Sequence, residues 1–415
     1  MSGSDVAVIG AGIVGLAVAY HLRAAGMSVT VIDRDPAGDK ASFGNAGGIA
    51  VTEVVPASVP GLIWKVPGWL VDPLGPLAIR PRHAPNLLPW LWRFLRAGMR
   101  AEVARIAAAL AALNGRVYDD LEPMLAETGL SGELIRRGAL VVYETEAGFA
   151  RDAWRWALTR SHGIVAEDVS GDEARRMEPS LGPVVTRGVF TPQWSHVRDP
   201  KRLVDGLRDW LLRDGVEVIA GEAGHITARP GSAVAVGLGD GRAVEADRVV
   251  VAAGAWSGRL AAGLGDRVLL ESERGYNTTF PAAAKLLQRE VIFAERHCVA
   301  TPLDCGLRVG GAAEFGGLDA AMNAGRSRAL ATLAARYLPG LELSGGTAWA
   351  GHRPATPDSL PVIGPSQRHS QVFYALGHGH LGLTQAATTG RLIADLVLRR
   401  TPPIDVSPYR CERFD

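Results

Sequence analysis

The sequence predicts an α/β fold that opens on a Rossmann-type dinucleotide-binding unit and continues into a second domain. Three observations predict it. Residues 6–33 read as strand, glycine loop, helix, strand and acid in that order. At 415 residues the chain exceeds one ordinary core. Short β-branched runs at 216–220 and 248–252 suit further strands of a sheet.

The opening unit can be justified residue by residue. Val6-Ala7-Val8-Ile9 is an apolar run that ends in Gly10-Ala11-Gly12-Ile13-Val14-Gly15. A helical stretch over 13–25 stops at Gly26, and Val29-Thr30-Val31-Ile32 ends at Asp33. Gly10 permits the tight turn, Gly12 lets backbone approach a pyrophosphate, and Gly15 lets helix and strand pack closely. The helix start offers free N–H groups and a positive dipole end to phosphates. Asp33 is placed to accept from ribose hydroxyls. Fifty glycines and twenty-five prolines agree with tight turns and backbone passing close to a ligand.

Composition excludes several classes. With 47% apolar and 21% charged residues the chain is neither disordered nor fibrous, and a net charge of +1 offers nothing to nucleic acid. Cys298, Cys305 and Cys411 form no metal spacing, so no metal is expected, and isolated thiols fit a reducing, cytosolic setting. The N-terminus lacks the basic region of a signal peptide. The longest apolar run, 54–79, carries Lys65, Asp72 and five prolines, so it is not read as a membrane-spanning helix.

A second glycine series, Gly377-His378-Gly379-His380-Leu381-Gly382, follows the apolar run 372–376 and opens a helix over about 383–398. One reading is a second nucleotide site, which implies a nicotinamide cofactor. However, no strand with a terminal acid follows it. The reading preferred here is a helix start whose positive end faces a group that becomes anionic.

Taken together, these stretches resemble the D-amino-acid dehydrogenase branch of the flavin-dependent amino-acid oxidase superfamily, which also holds glycine and sarcosine oxidases. The resemblance runs almost end to end: VAVIGAGIVGLAVAYHLRAAGMSVTVIDRD, SFGNAGGIA, PLAIRPRHAPNLLPWLWRFLRAG, ADRVVVAAGAWS, ERGYN, WAGHRPATPDSLPVIGP and ALGHGHLGLTQAATTGRLIADL occur in the family's order. It implies a discontinuous Rossmann-type FAD-binding domain from 1–55, 155–270 and 345–415. An α+β substrate domain of mixed or antiparallel sheet, 56–154 and 271–344, would be inserted into it. Within that insert, 291–302 and 306–315 read as strands with turns and 320–337 as a helix. The FAD residues implied are Gly10, Gly12, Gly15, Asp33, Arg34, Ser42, Asn45, Ala46, Gly47, Gly48, Ala253, Gly254, Gly379, His380, Leu381, Gly382, Leu383 and Thr384. Sarcosine oxidases tether their flavin through a cysteine just before the motif aligned with Thr356-Pro357-Asp358. Gly351 and His352 stand there instead, so the FAD is expected to be non-covalent.

Oxidising an amino acid at Cα requires mainly that the substrate be held in line with the flavin. Arg353 matches the family's carboxylate-binding arginine, and a guanidinium fork suits a carboxylate bidentately. The resemblance implies Tyr276 as a second substrate contact; a core tyrosine in a strand is the other reading of the same residue. Arg274 shares the Tyr276 face only if Gly275 does not bulge. His378 and His380 flank Gly379, and His380 is taken as the catalytic candidate of the two.

The implied reaction converts a D-amino acid, cyclic ones such as D-proline or cis-4-hydroxy-D-proline included, to its imino acid. Electrons would pass to a quinone or another acceptor. Three alternatives stay open: an oxygen-using oxidase of glycine or N-methyl amino acids, an NAD(P)-linked flavoprotein reductase, and a flavin subunit that relays electrons inside a hetero-oligomer. Residues 87–100 set Trp90 and Trp92 among Arg93, Arg96 and Arg100. They read either as a helix packed on the substrate domain or as a contact with the inner membrane face.

Overall fold

The computed structural model describes residues 4–72, 75–229 and 231–415. Among them, eight strands form one sheet, nine form another and three form a small third sheet.

The first sheet is built around the opening unit. Ser4–Ile9 pairs in parallel with Val29–Asp33 on one side and with Ala243–Val251 on the other. Glu217–Ala220 extends the parallel series beyond Val29–Asp33, and Val372–Leu376 joins Ala243–Val251. The runs that read as strands from β-branching at 216–220 and 248–252 both lie in this sheet. Ile13–Ala24 returns the chain between the first two strands, as a right-handed crossover requires. It packs on Gly382–Val397, most of whose residues are buried.

The second sheet runs in the order Thr347–Ala355, Glu271–Phe280, Gly306–Phe315, Cys298–Leu303, Glu290–Phe293, Ala139–Tyr143, Arg187–Thr191, Glu167–Ser170, with Leu77–Ile79 off this path beside Gly306–Phe315. Most neighbours are antiparallel, but Glu290–Phe293 runs parallel to Ala139–Tyr143, so the sheet is mixed. Helix Ala324–Tyr337 covers one face, burying Leu330, Ala334 and Tyr337 against Phe293 and Val309. Residues 167–170, 187–191 and 347–355, which the sequence reading grouped with the FAD segments, contribute strands here. Their partners are long-range, and local pattern alone does not reveal them.

The apolar run 54–79, of which 73 and 74 lie outside the described residues, breaks into Leu62–Trp64, Val66–Val71 and Leu77–Ile79. No helix among the described residues is long and apolar enough to cross a membrane. The helix expected over 87–100 is Ala84–Ala97. It packs through Leu87, Trp90 and Phe94, while Leu88, Trp92 and Leu95 face outward.

Candidate active site

A cavity of about 1670 Å³ lies between the two large sheets. Its first wall is the opening βαβ unit. Gly10 sits at φ +115°, and a Cβ there would collide with the carbonyl of Ala252, so only glycine fits this turn. Asp33 braces the loop: its Oδ2 accepts from the Ala11 N–H (2.7 Å) and its Oδ1 from the Asp35 N–H (2.8 Å). Oδ1 also pairs with Lys40 Nζ (3.5 Å), which leaves Oδ2 a lone pair for a ribose hydroxyl. Ser42 Oγ accepts from the Ile13 N–H at the start of the first helix (3.0 Å). Arg34 stacks its guanidinium 3.9 Å from the ring centroid of Trp256, and both line the cavity.

The second wall is the glycine-rich loop 42–48. Asn45 ties it internally, with Nδ2 donating to Ser42 O (2.6 Å) and Oδ1 accepting from Gly47 N–H (2.7 Å). Arg308, buried at 4% exposure, donates to the carbonyls of Phe43 (2.9 Å) and Asn45 (2.8 Å) and to Thr279 Oγ1 (3.0 Å). Burial pulls its guanidinium below the ordinary arginine range. Thr384 fastens the far end of the loop by accepting from the Ala50 N–H (2.9 Å). Sequence reasoning missed Arg308, because nothing in GLRVGG separates it from a surface arginine.

The residues expected to hold FAD converge on this cavity. Gly10, Gly12, Asp33, Arg34, Ser42, Asn45, Ala46, Gly47, Gly48, Ala253, Gly254, Gly379, His380, Gly382 and Leu383 line it. Gly15, Leu381 and Thr384 stand behind: Gly15 packs on the Gly10 carbonyl, and Leu381 belongs to the core. A long cavity walled by a glycine loop, a helix N-terminus and a carboxylate fits a dinucleotide such as FAD. Bound there, FAD would supply a two-electron acceptor.

The third wall is the second sheet. Arg353 and Glu273 are directly opposite each other in register, on the face that looks into the cavity. Arg353 Nη1 donates to Glu273 Oε1 (2.6 Å) and to Ala312 O (3.1 Å), and Nη2 donates to Gly311 O (3.4 Å). Those carbonyls arrive through a β-bulge. Between the pairs Arg274–Glu314 and Tyr276–Gly311 one strand advances two residues and the other three, and Ala312 takes φ +54°. Glycines or alanines stand at 275, 310, 311, 312 and 351 beside Arg353, which leaves room for a ligand. Farther along, Ile292, Val299, Val141 and Trp69 make an apolar stretch of wall, and Arg151, Asp152, Arg155 and His297 line the cavity as well.

Tyr276 departs from expectation. It sits on the opposite face of Glu271–Phe280, 1% exposed in the core of the second sheet. Its hydroxyl donates to Glu314 (2.9 Å) and accepts from the Asn323 N–H (3.3 Å). The register of Glu271–Phe280 with Thr347–Ala355 is unbroken, so alternation holds and turns Tyr276 away from Arg353. The side chain takes the core reading of this tyrosine, while Tyr276 still borders the cavity. Arg274 shares the Tyr276 face, because the bulge lies on the partner strand rather than at Gly275. Glu273 is the residue the sequence reading passed over, although alternation from Gly275 places it on the cavity face.

The second glycine series meets the Arg353 strand directly. Gly379 N–H donates to Pro354 O (2.8 Å), one residue beyond Arg353. His378 is buried and bonded to Thr389 Oγ1 (2.9 Å), and burial holds its imidazole down at about 3, so it is neutral. His380 is exposed at the cavity rim. His352, also on the far face of its strand, bonds Ser272 Oγ (2.6 Å). Burial, Arg274 and Arg34 hold it down at about 4. Glu290 lies fully enclosed against Gly48 and accepts from Trp194 Nε1 (3.2 Å); burial, with Glu53 nearby, pushes its carboxyl up to about 8.

Comparison with known proteins agrees with this geometry. The chain is 36% identical over 421 residues to a D-amino-acid oxidase of Bradyrhizobium diazoefficiens, covering 99% of each. Its fold matches glycine oxidase from Geobacillus kaustophilus with a TM-score of 0.76 at 24% identity, over 99% of both chains. It also matches L-proline dehydrogenase from P. horikoshii with a TM-score of 0.76 at 19% identity, over 99% and 98% of the chains. The profile of the DAO family, FAD dependent oxidoreductase, matches residues 5–396. With the dinucleotide cavity in place and the match spanning nearly all of it, the chain belongs to the DAO family of FAD-dependent oxidoreductases.

Proposed function

We propose that this enzyme oxidises the Cα–N bond of a D-amino acid, with Arg353 holding the α-carboxylate. The observation that carries this reading is the Arg353 guanidinium, set on the cavity wall among glycines and alanines and facing the FAD-binding loops. The carboxylate on Arg353 orients Cα–H, and the small residues around it let the substrate lie close to the cofactor. FAD held by the glycine loops would supply the two-electron acceptor, and an amino acid giving up a hydride from Cα and a proton from nitrogen would become the imino acid. Water then converts an acyclic imino acid to the 2-oxo acid and ammonia, while a cyclic substrate ends as a pyrroline carboxylate. The relative named D-amino-acid oxidase supports the D configuration.

The apolar wall of Ile292, Val299, Val141 and Trp69 supports an uncharged side chain, and D-proline and cis-4-hydroxy-D-proline are compact members of that class. Non-covalent FAD is supported by the absence of any cysteine from the cavity lining among the described residues. A quinone acceptor met at a membrane face is supported by outward Trp64, Trp92, Leu88 and Leu95 beside Lys65, Arg96 and Arg100.

An anaerobic screen of D-, L- and N-methyl amino acids, following bleaching of the flavin, tests the reading. It predicts bleaching by uncharged D-amino acids. Bleaching by L- or N-methyl amino acids alone would overturn it. Reoxidation by a soluble quinone far faster than by air is the outcome expected for the acceptor.

A further inference from the structure

The ion pair on the cavity wall has a consequence for recognition. Glu273 and Arg353 are each about a quarter exposed, at 24% and 26%, and both open into the cavity. Together they are neutral. A ligand with only a carboxylate sets a second anion on Arg353 beside Glu273, and one positive charge then serves two carboxylates. A zwitterion meets no such penalty, because it carries a cation for the carboxylate it displaces. The bulge carbonyls of Gly311 and Ala312 hold the guanidinium from behind, so Arg353 keeps its place while Glu273 changes partner.

We infer that Glu273 is the substrate-amine recognition residue: when Arg353 takes the α-carboxylate, the Glu273 carboxylate turns to the α-ammonium. The pair thus selects amino acids over simple carboxylic acids and holds two of the four bonds at Cα. This inference rests on Arg353 being the carboxylate clamp.

A matched pair of ligands that cannot be oxidised separates the two claims. 2-Aminoisobutyrate and isobutyrate differ by one amino group, and neither amino acid nor acid offers a hydride next to nitrogen. Each is titrated into the FAD-loaded enzyme, following the perturbation of the flavin absorption spectrum. The wild type should bind 2-aminoisobutyrate more tightly than isobutyrate. In Glu273→Gln, 2-aminoisobutyrate should weaken by about tenfold or more, as expected for a lost charged hydrogen bond. Isobutyrate should tighten, because no ion pair opposes it, and the preference should invert. Glu273→Asp, which keeps the charge, should retain the wild-type order in weaker form and serves if the glutamine variant fails to fold. Both ligands shifting in the same direction, or an unchanged order in Glu273→Gln, would overturn the role of Glu273 and leave Arg353 standing. No perturbation by either ligand in the wild type would overturn the clamp, and this inference with it.

Discussion

The guanidinium of Arg353 lies over Gly275: a Cβ at position 275 would stand 2.5 Å from Arg353 Cζ. Their strands are paired in unbroken register, so neither residue can slide away from the other. Gly275→Ala should therefore displace the guanidinium without touching the FAD loops. A misplacement of this size is expected to lower kcat/KM by about a hundredfold, with flavin content unchanged. Steady-state kinetics beside the flavin-to-protein ratio checks it, and wild-type kinetics would show that Arg353 acts elsewhere.

Gly12 faces the cavity with Ser42 Oγ 3.4 Å from the position of its missing Cβ. A valine there would push on Ser42 and fill the space of the pyrophosphate. Gly12→Val should fold and lose most of its FAD. Retention of a full flavin complement after gel filtration would mean that the phosphates lie elsewhere.

How far the sequence made this site legible follows from the range of each interaction. The glycine turn, Asp33 and the helix start are local, so residues 6–33 announce them. Arg353 was found because the motif around it resembles a family. Its partner Glu273 needs only alternation from Gly275, whereas the resemblance points to Tyr276, and only the pairing with Thr347–Ala355 reveals which face each occupies. The bulge at Ala312 arises between two strands and leaves no mark in GLRVGGAAEF. Strands such as Glu167–Ser170 find their sheet through partners far along the chain, which no local pattern encodes.

Glu290 makes stability depend on pH in a stated direction. Its carboxyl moves from an ordinary 4.5 up to about 8 in the fold. The folded chain therefore binds this proton more tightly than the unfolded chain between those values. The stability it contributes is complete below about pH 4.5 and is lost as pH rises through 8. Glu290→Gln has no proton to lose and still accepts from Trp194. Its Tm should gain on the wild type steadily from pH 5 to pH 8, measured at constant FAD. Parallel Tm curves would mean that the buried carboxyl keeps its ordinary affinity for the proton.

Arg353 itself gives the most direct test of the central claim, that a carboxylate clamp orients an amino acid for oxidation. Arg353→Met removes charge and fork, and Arg353→Lys keeps the charge alone. For an amino acid that bleaches the wild-type flavin, kcat/KM should fall by about two to four powers of ten in Arg353→Met and by less in Arg353→Lys. FAD content should not change. The decisive measurement is the ratio of kcat/KM between wild type and Arg353→Met, taken for an amino acid and for its amide. The account predicts a large ratio for the acid and a far smaller one for the amide, which has no carboxylate charge to lose. Equal ratios, or variants that simply shed FAD, would place Arg353 in a structural role and contradict it.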